Sequence, residues 1–546
     1  MSTTIEVPAL VVGGGPTGLA LGILLGQQGV RSLVVERRAE PLRAPAAHVV
    51  NARTFEILRA AGVDPEAIAA ASRSPRDAGR VRFVTTLAGE ELGSLPFECQ
   101  GDDVLVATPT PLRNLSQHHL ERILRARLEA EPNAGLRVAH EWESAEQDAQ
   151  GVTSRVRAAS GEVVTVRSRW LLAADGAGSR ARKALGIEAL GPPRIASFVM
   201  IHLAANFRAL VADRLGVLYF LNDPRARGVF VAHDVDAEWV YMQPWDPDRE
   251  PAEAYDEARC TEVVRAALGG AAPPFRVETI ATWHMSVQVA ERYRAGRAFL
   301  VGDAAHRFPP TGGLGLNTGV QDAHNLAWKI AFVERGLAPE ALLDSYEAER
   351  LPVAQRNAQA SARNAARLAE VPQALGPAGD GDRARVRAAI ANQAEHFDML
   401  GLQLGFRYET GALVPDGSAP PRPANPVREY VPCGSPGARL PHAWMQHGGA
   451  RLSTLDLLAP DRFTLITGRG GAGWLDAAAK GDARLACLGI GREVADEDGA
   501  WAAQLGIEAD GALLVRPDQH VAWRSVRGVA DAEGVLRDAL ARILGR

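Results

Sequence analysis

Residues 9–18, Ala-Leu-Val-Val-Gly-Gly-Gly-Pro-Thr-Gly, join an apolar run to a glycine cluster. The chain then continues through the helix-like stretch Leu19 to Gln28 to a second apolar run, Ser32 to Val35, closed by Glu36. Short apolar run, glycines, helical stretch and second run are the pattern of a β-α-β unit. Gly13, Gly15 and Gly18 fit G-x-G-x-x-G, with Pro16 and Thr17 at the start of the helix. A side chain at those positions blocks the tight turn, the approach of backbone to a pyrophosphate, or the packing of helix on sheet. Glu36 follows Gly18 by eighteen residues, at the end of the second strand, where a carboxylate accepts hydrogen bonds from both ribose hydroxyls of an adenosine; Arg37 lies beside it. A bare glycine match is explained by an ordinary loop, but strand, helix and acid in register point to a dinucleotide site.

Outward from this unit, short strand-like runs occur between about 80 and 110. They precede SQHHLERILRARL, whose Leu120, Ile123, Leu124 and Leu128 recur at helical spacing. Another strand, Trp170 to Ala174, ends in Asp175-Gly176. From about 195 to 290, runs such as SFVMIHLAA, GVLYFL, GVFVAH and EWVYMQ predict a mostly antiparallel sheet inserted as a lid over a substrate. A strand at Ala298 to Val301 leads through Gly302-Asp303 and a glycine-rich loop to a long helix near 318–335. Seven prolines between Pro415 and Pro436 read as a linker to a separate unit with strand-like FTLITG, RLACLGI and GALLVRP. The expected class is α/β: a discontinuous Rossmann-like domain over 1–185 and 285–410, with a short sheet insert near 80–110. It is joined by a β-sheet substrate domain over 186–284, a linker over 411–430 and a C-terminal domain over 431–546.

A chain of 546 residues excludes a single small binding module, and 47% hydrophobic with 23% charged residues is a globular composition. The net charge of -5 gives no broad reason to seek nucleic acid or an anionic membrane. All but three of the 60 basic residues are Arg, so a single Arg says little about function. Cys99, Cys260, Cys433 and Cys487 are far apart, without C-x-x-C or zinc-type spacing, so neither a disulfide framework nor a metal site is expected. Without a signal-like N-terminus or a run of about eighteen apolar residues, the expected location is the cytoplasm.

The element from Val301, VGDAAHRFPPTGGLGLNTGVQDAHNLAWK, bears on which dinucleotide is bound. Asp303 at a strand end can accept from a ribityl hydroxyl, which FAD has and NAD lacks; such an Asp is otherwise a turn or cap residue. The following helix presents free N–H groups and a positive dipole end suited to negative charge on a reduced flavin. Together, GGGPTG with Glu36, LLAADGAGSRAR and GDAAHRFPPTGGLGLN resemble the single-component flavoprotein aromatic hydroxylases of the para-hydroxybenzoate hydroxylase fold. The nearest pattern is that of the longer phenol and chlorophenol hydroxylases, which carry a thioredoxin-like C-terminal domain; PGARLPHAWM and LLVRPDQHVAWR carry that part of the resemblance.

The resemblance implies that Gly13, Gly15 and Gly18 touch the FAD pyrophosphate, Glu36 the adenosine ribose, Gln117 the phosphate or ribityl region, and Asp303 the ribityl chain. Pro309, Gly315, Leu316 and Asn317 are expected to border the isoalloxazine. Asp175-Gly176 match a motif serving both FAD and the nicotinamide cofactor, and NADH or NADPH is expected to bind transiently, as no second glycine fingerprint is present. Where the family often has Pro-Arg-Ala, this chain has Pro45-Ala46-Ala47, leaving Arg43 or Arg53 to supply the positive charge. The implied reaction is hydroxylation of a phenolic ring with NAD(P)H and O2 through a flavin C4a-hydroperoxide, by an enzyme expected at family level to be a homodimer.

A phenol has a pKa of about 10, so a base that withdraws its proton raises ring nucleophilicity. His48, in APAAHVVNARTFEIL, is the first candidate, against the plainer reading of a satisfied core or surface histidine. Tyr219 and Tyr241 on lid strands are further candidates, against simple packing, and His284 and His306 follow. A disulfide reductase lacks its cysteine pair here, and a flavin halogenase lacks its Trp-x-Trp signature and a well-placed lysine. An epoxidase or Baeyer–Villiger-type oxygenase of a polyketide-like ring stays open, as does a non-catalytic flavin-binding protein.

Overall fold

The computed structural model describes every residue except 1–3, 42–44, 271, 378, 380, 448, 481, 483, 497 and 498. Arg43 therefore lies outside the described residues. The opening pattern forms β1 (Thr4–Val12), α1 (Pro16–Gln27) and β2 (Ser32–Val35). β1 lies inside an eight-stranded sheet, parallel to β2 on one side and to Val163–Ala173 on the other. Ala134–Arg137 and Ala298–Leu300 extend it, again in parallel. Parallel strands are covered on both faces, which is why Ala9, Leu10 and Val11 form an unbroken apolar run with no exposed surface. In α2 (Gln117–Glu129), Leu120, Leu124 and Leu128 are buried as their spacing requires, while Ile123 packs half-buried at the margin.

The inserted sheet has seven strands, in the order Phe275–Met285, Ala196–Ala205, Glu238–Pro244, Gly228–Asp234, Leu218–Leu221, Arg80–Val84 and Glu91–Pro96. Its last two strands correct the sequence reading, which left residues 80–110 within the FAD-binding unit. Arg80–Val84 instead pairs in parallel with Leu218–Leu221 and continues the substrate sheet. Period-2 alternation reveals a strand but not its partner, and here Val81 and Phe83 alternate onto the same buried face as Leu218 and Phe220. The opposite face packs on α3 (Glu257–Leu268), with Ile201, Tyr219, Phe230, Trp239 and Tyr241 in one core.

A second difference concerns α4 (Leu314–Glu334), which begins four residues earlier than the glycine-rich sequence suggests. Gly315, Leu316 and Asn317 thus belong to its first turn rather than to a loop. Ala323, Leu326, Ala327, Trp328 and Ile330 are fully buried, placing α4 inside the molecule rather than on it. It packs against α1 and against α5 (Asp344–Leu368). The stretch 411–430 forms no helix or strand and is held by main-chain bonds such as Val414 N–H to Ala522 O. Beyond it, Phe463–Thr467 pairs in parallel with Leu485–Gly489 and antiparallel with Ala512–Val515, which pairs antiparallel with Val521–Ser525. This order, with helices on the sheet, is the thioredoxin-like arrangement, and its cysteines are unpaired. No helix of the described residues is long and apolar enough to cross a membrane.

Candidate functional site

Gly13 adopts φ 107°, and a Cβ there lies 2.2 Å from Ala174 O; one at Gly18 lies 1.9 Å from Gly13 O. These glycines are required by close backbone packing, as the fingerprint predicts. Gly15 differs, because a Cβ there meets nothing within 4 Å. It caps α1 without a side-chain hydrogen bond, so the first N–H groups of the helix face open space. Glu36 Oε2 accepts from Gly14 N–H at 2.7 Å, and Oε1 accepts from the backbone and Nε of Arg38, both at 2.9 Å. Burial pushes this carboxyl up, but the Arg38 and Gly14 N–H bonds and the Arg38 charge hold it below its ordinary value. Gly14, Glu36, Arg38, Glu121 and Arg125 line a shallow, open recess. The guanidinium on Glu36 is that of Arg38; Arg37 is exposed. Gln117 begins α2 and donates to Glu121 at 2.8 Å.

The other end of the cleft is built on α4. Gly313 caps it at φ 61° with no side-chain bond, leaving a second set of helix N–H groups uncapped. Thr17 packs between Gly302 and Gly319, where Cβ atoms lie 2.8 and 2.3 Å from its Oγ1, so α1 and α4 converge. Asp303 is accessible, and a Cβ on Gly315 lies 3.9 Å from its Oδ1. Protein nevertheless surrounds Asp303 closely enough that desolvation raises its pKa, against the charges of His306 and Arg307. An accessible carboxylate at depth is the mark of an internal cleft. Asp175 caps the helix Arg180–Ala184, accepting from Ser179 Oγ at 2.5 Å and Ala181 N–H at 3.1 Å. Two uncapped helix N-termini, an accessible Asp near them and an open recess at Glu36 fit a flavin dinucleotide.

Two expected contacts are corrected. Arg53 points away from this cleft, donating to Glu56 at 3.0 Å, Gln519 Oε1 at 2.5 Å and Asp518 O at 2.8 Å. Its charge is spent inside the protein, so it does not replace the missing arginine at a phosphate. Asn317 is buried, with Oδ1 accepting from Asn51 N–H at 2.9 Å and Nδ2 donating to Val49 O at 2.9 Å and Gly313 O at 2.5 Å. Its side chain staples the Val49–Asn51 segment to α4, leaving only its backbone at the cleft. Pro309 is buried, while Gly315 and Leu316 are half-buried.

The same staple positions His48. Its Nδ1 lies 2.9 Å from Asn114 Oδ1, and Asn114 Nδ2 donates to Gln100 Oε1 at 3.1 Å. The Gln100 bond orients the Asn114 amide with oxygen toward the ring, so Nδ1 donates and Nε2 keeps its lone pair. Desolvation lowers the His48 pKa, opposed by the Asn114 bond, so the ring is neutral at pH 7. The imidazole is half-buried and meets His233 edge-on at 5.5 Å between centroids. His233 is held by Ser116 at 2.7 Å. No motif in the sequence marks Asn114, Ser116 or His233; folding brings them together.

Tyr219 and Tyr241 are corrected as pocket residues. Both have no exposed surface and lie in the core against α3, with hydroxyls donating to Arg214 O at 3.1 Å and Arg227 O at 3.0 Å. Leu218 and Phe220 face the other way, toward Val49 and Leu112 beside His48. His284 is exposed and bonded to Ser197 at 2.9 Å, whereas His306 is buried and bonded to Asp322 at 2.8 Å.

Residues 6–361 match the family described as FAD binding domain, and residues 434–546 match aromatic-ring hydroxylase, C-terminal. The chain is 36% identical to 2,4-dichlorophenol 6-monooxygenase of Cupriavidus pinatubonensis, covering 100% of this chain and 98% of that protein. It is 38% identical to tetracenomycin B2 monooxygenase-dioxygenase of Streptomyces olivaceus, covering 99% of each. Among solved structures, the flavin-dependent monooxygenase PieE in complex with FAD and substrate superposes with a TM-score of 0.92 at 37% identity, covering 99% of each chain. The two family-model matches together with the full-length relatives place the chain in the family of FAD-binding monooxygenases that carry an aromatic-ring hydroxylase C-terminal domain.

Proposed function

We propose that this chain is an FAD-dependent monooxygenase that hydroxylates a phenolic ring with NAD(P)H and O2. The observation that carries the phenolic reading is His48, a neutral imidazole whose Nε2 is left free by the Nδ1–Asn114 bond. It stands beside the segment that Asn317 ties to the cofactor-facing turn of α4. FAD, when bound, supplies the redox and oxygen-activating chemistry. Gly13, Gly15, Thr17 and Gly18 with the α1 N-terminus hold its pyrophosphate, Glu36 its ribose, and Asp303 its ribityl chain. Uncapped α4 N–H groups at Gly315 and Leu316 stabilise negative charge at the ring system. His48 Nε2 accepts the phenolic proton, which raises electron density on the ring carbon to be oxygenated.

A second reading differs in both the size of the substrate and the chemistry. The chlorophenol and tetracenomycin relatives are almost equally similar to this chain, at 36% and 38% identity. Epoxidation or Baeyer–Villiger-type lactone formation on a fused, polyketide-like ring is therefore the alternative. NAD(P)H oxidation by the FAD-loaded protein, followed with simple, chlorinated and polycyclic phenols, tests both readings. Stimulation with a product one oxygen heavier and carrying a new ring hydroxyl supports the first. Epoxide or lactone products move the assignment to the second, and peroxide alone with every ring overturns both.

A further inference from the structure

Away from the cofactor cleft, three histidines and one carboxylate converge where the first turn of α2 meets the substrate sheet. His118 and His119 come from α2, His202 from the strand Ala196–Ala205 and Glu238 from the neighbouring strand Glu238–Pro244. We propose that Glu238, His118 and His202, completed by His119, bind one divalent transition-metal ion of the zinc type. His118 Nε2 lies 3.6 Å from Glu238 Oε2, and His202 Nε2 lies 3.3 Å from Oε1. In a tetrahedral zinc site with bonds of about 2.0–2.1 Å, neighbouring ligand atoms are about 3.3–3.4 Å apart. The ligand atoms of His118, His119 and Glu238 all lie within 4.8 Å of one another, and His202 reaches the other oxygen of the same carboxylate, so closure requires rotation of the His119 ring and an approach of His202 toward the other two rings. Three imidazoles and one carboxylate are a donor set favoured by Zn(II) and its neighbours over Mg(II) or Ca(II).

The plainer alternative is an ion pair, and His118 fits it poorly. Its ring is buried, Nδ1 has no hydrogen-bond partner, and Nε2 is too far from Glu238 to form a hydrogen bond. His202 Nδ1 is likewise buried without a partner. Each ring can therefore hold its proton on Nδ1 and turn Nε2 to an ion. Two cations face the cluster. Arg73 is neutralised by Asp234 at 2.5 Å, and exposed Arg122 donates weakly to His119 Nδ1 at 3.3 Å, from which it can swing into solvent. The site pins α2 to the substrate sheet, two residues from Ser116, which holds His233 against His48.

The test uses chelator-stripped, FAD-loaded protein titrated with Zn2+ by calorimetry at pH 7, with Co2+ absorption as a second readout. The expected result is one ion per chain and a tetrahedral Co2+ spectrum. Affinity falls by about 10- to 100-fold or more in Glu238→Gln and His202→Gln, and is unchanged in His284→Gln. Zn2+ should also raise the melting temperature of the wild type but not of Glu238→Gln, provided that this variant keeps its FAD content and metal-free melting temperature. Absence of binding in the wild type, or equal affinity in wild type and a folded Glu238→Gln, overturns the proposal.

Discussion

The cofactor cleft and the seam between α4 and the C-terminal unit both gather charged groups deep in the molecule, and they treat them in opposite ways. In the seam, among the described residues, the buried carboxylates and their basic partners are paired. Glu349, with no exposed surface, accepts from Arg516 at 2.8 Å, Lys329 at 2.8 Å, Asn325 at 2.6 Å and the Ala412 N–H at 2.7 Å. Arg439 and Arg53 close in the same way on Glu56. In the cleft, Asp303 has no hydrogen-bonding side-chain partner among the described residues and His48 keeps one nitrogen free, while both remain accessible. Depth with full pairing holds domains together; depth without it awaits a ligand. Arg53 shows why the distinction matters, because its sequence position suggests a phosphate contact while its bonds assign it to the seam.

The widest separation between the two regions is expected from His48→Ala. Loss of a positioned base lowers hydroxylation by about 10²–10⁴-fold, with no comparable change in unfolding midpoint. In the wild type the rate should fall as pH drops below the lowered His48 pKa, because the protonated ring cannot accept a proton. That acid limb should vanish in the variant; a retained limb and rate remove His48 from the mechanism.

Arg516→Ala tests the seam. It strands Glu349 and Asp518 without their principal partner, and breaking a buried pair in this way costs about 3–5 kcal/mol. Chemical denaturation should show this as a large drop in midpoint. The acid response sharpens the same point. Burial pushes the Glu349 carboxyl up, but Arg516 and Lys329 hold it down at about 2, below the 4.5 of the free group. A carboxyl whose folded pKa is lowered contributes its full stability above about 4.5 and loses it as pH falls toward 2. Glu349→Gln should flatten stability over that window; an unchanged slope would mean that other carboxylates dominate acid unfolding.

Asp303→Ala returns to the cleft with a smaller effect of the opposite kind. Removing a charged acceptor costs a bound ligand about 1.5–3 kcal/mol, so FAD affinity should weaken by roughly tenfold to a hundredfold while the cofactor-free protein loses little stability. Ultrafiltration and flavin fluorescence report both. Undiminished flavin retention places Asp303 outside the site.

What the sequence made legible follows from how local each signal is. The β1-α1-β2 unit, Glu36 and the Gly302-Asp303 turn are encoded in contiguous residues whose spacing is itself the physics: a glycine where a Cβ strikes a carbonyl, an acid at a strand end. The partner of a strand is not local, so the sequence places the short runs near 80–110 within the Rossmann-like domain, whereas pairing joins Arg80–Val84 to the substrate sheet. Nor is the partner of a charge, so Arg53 was read as a phosphate ligand. The start of α4 was missed because glycines disfavour helix, yet Gly315 and Gly319 are tolerated in a buried helix packed against Thr17 and the cofactor cleft. Asn114, Ser116 and His233 carry no spacing signal at all, since they reach His48 from three segments that only the fold unites.

The smallest expected effect concerns a side of the sheet. Strand alternation puts Tyr219 and Phe220 on opposite faces, and Tyr219 falls in the aromatic core with Phe207, Phe230 and Trp239. Its hydroxyl donates only to Arg214 O at 3.1 Å. Tyr219→Phe keeps the ring and removes one neutral hydrogen bond, so a stability loss of about 1 kcal/mol is expected, with NAD(P)H use per product unchanged. Phe220→Ala removes a ring from the opposite face, which packs in the cluster that holds Val49 and Leu112. It should raise KM and waste more reductant as peroxide, because a ring that seats loosely is presented poorly to oxygen. If Tyr219→Phe alters coupling and Phe220→Ala does not, the substrate lies on the α3 side, and the division drawn here between core face and pocket face is reversed.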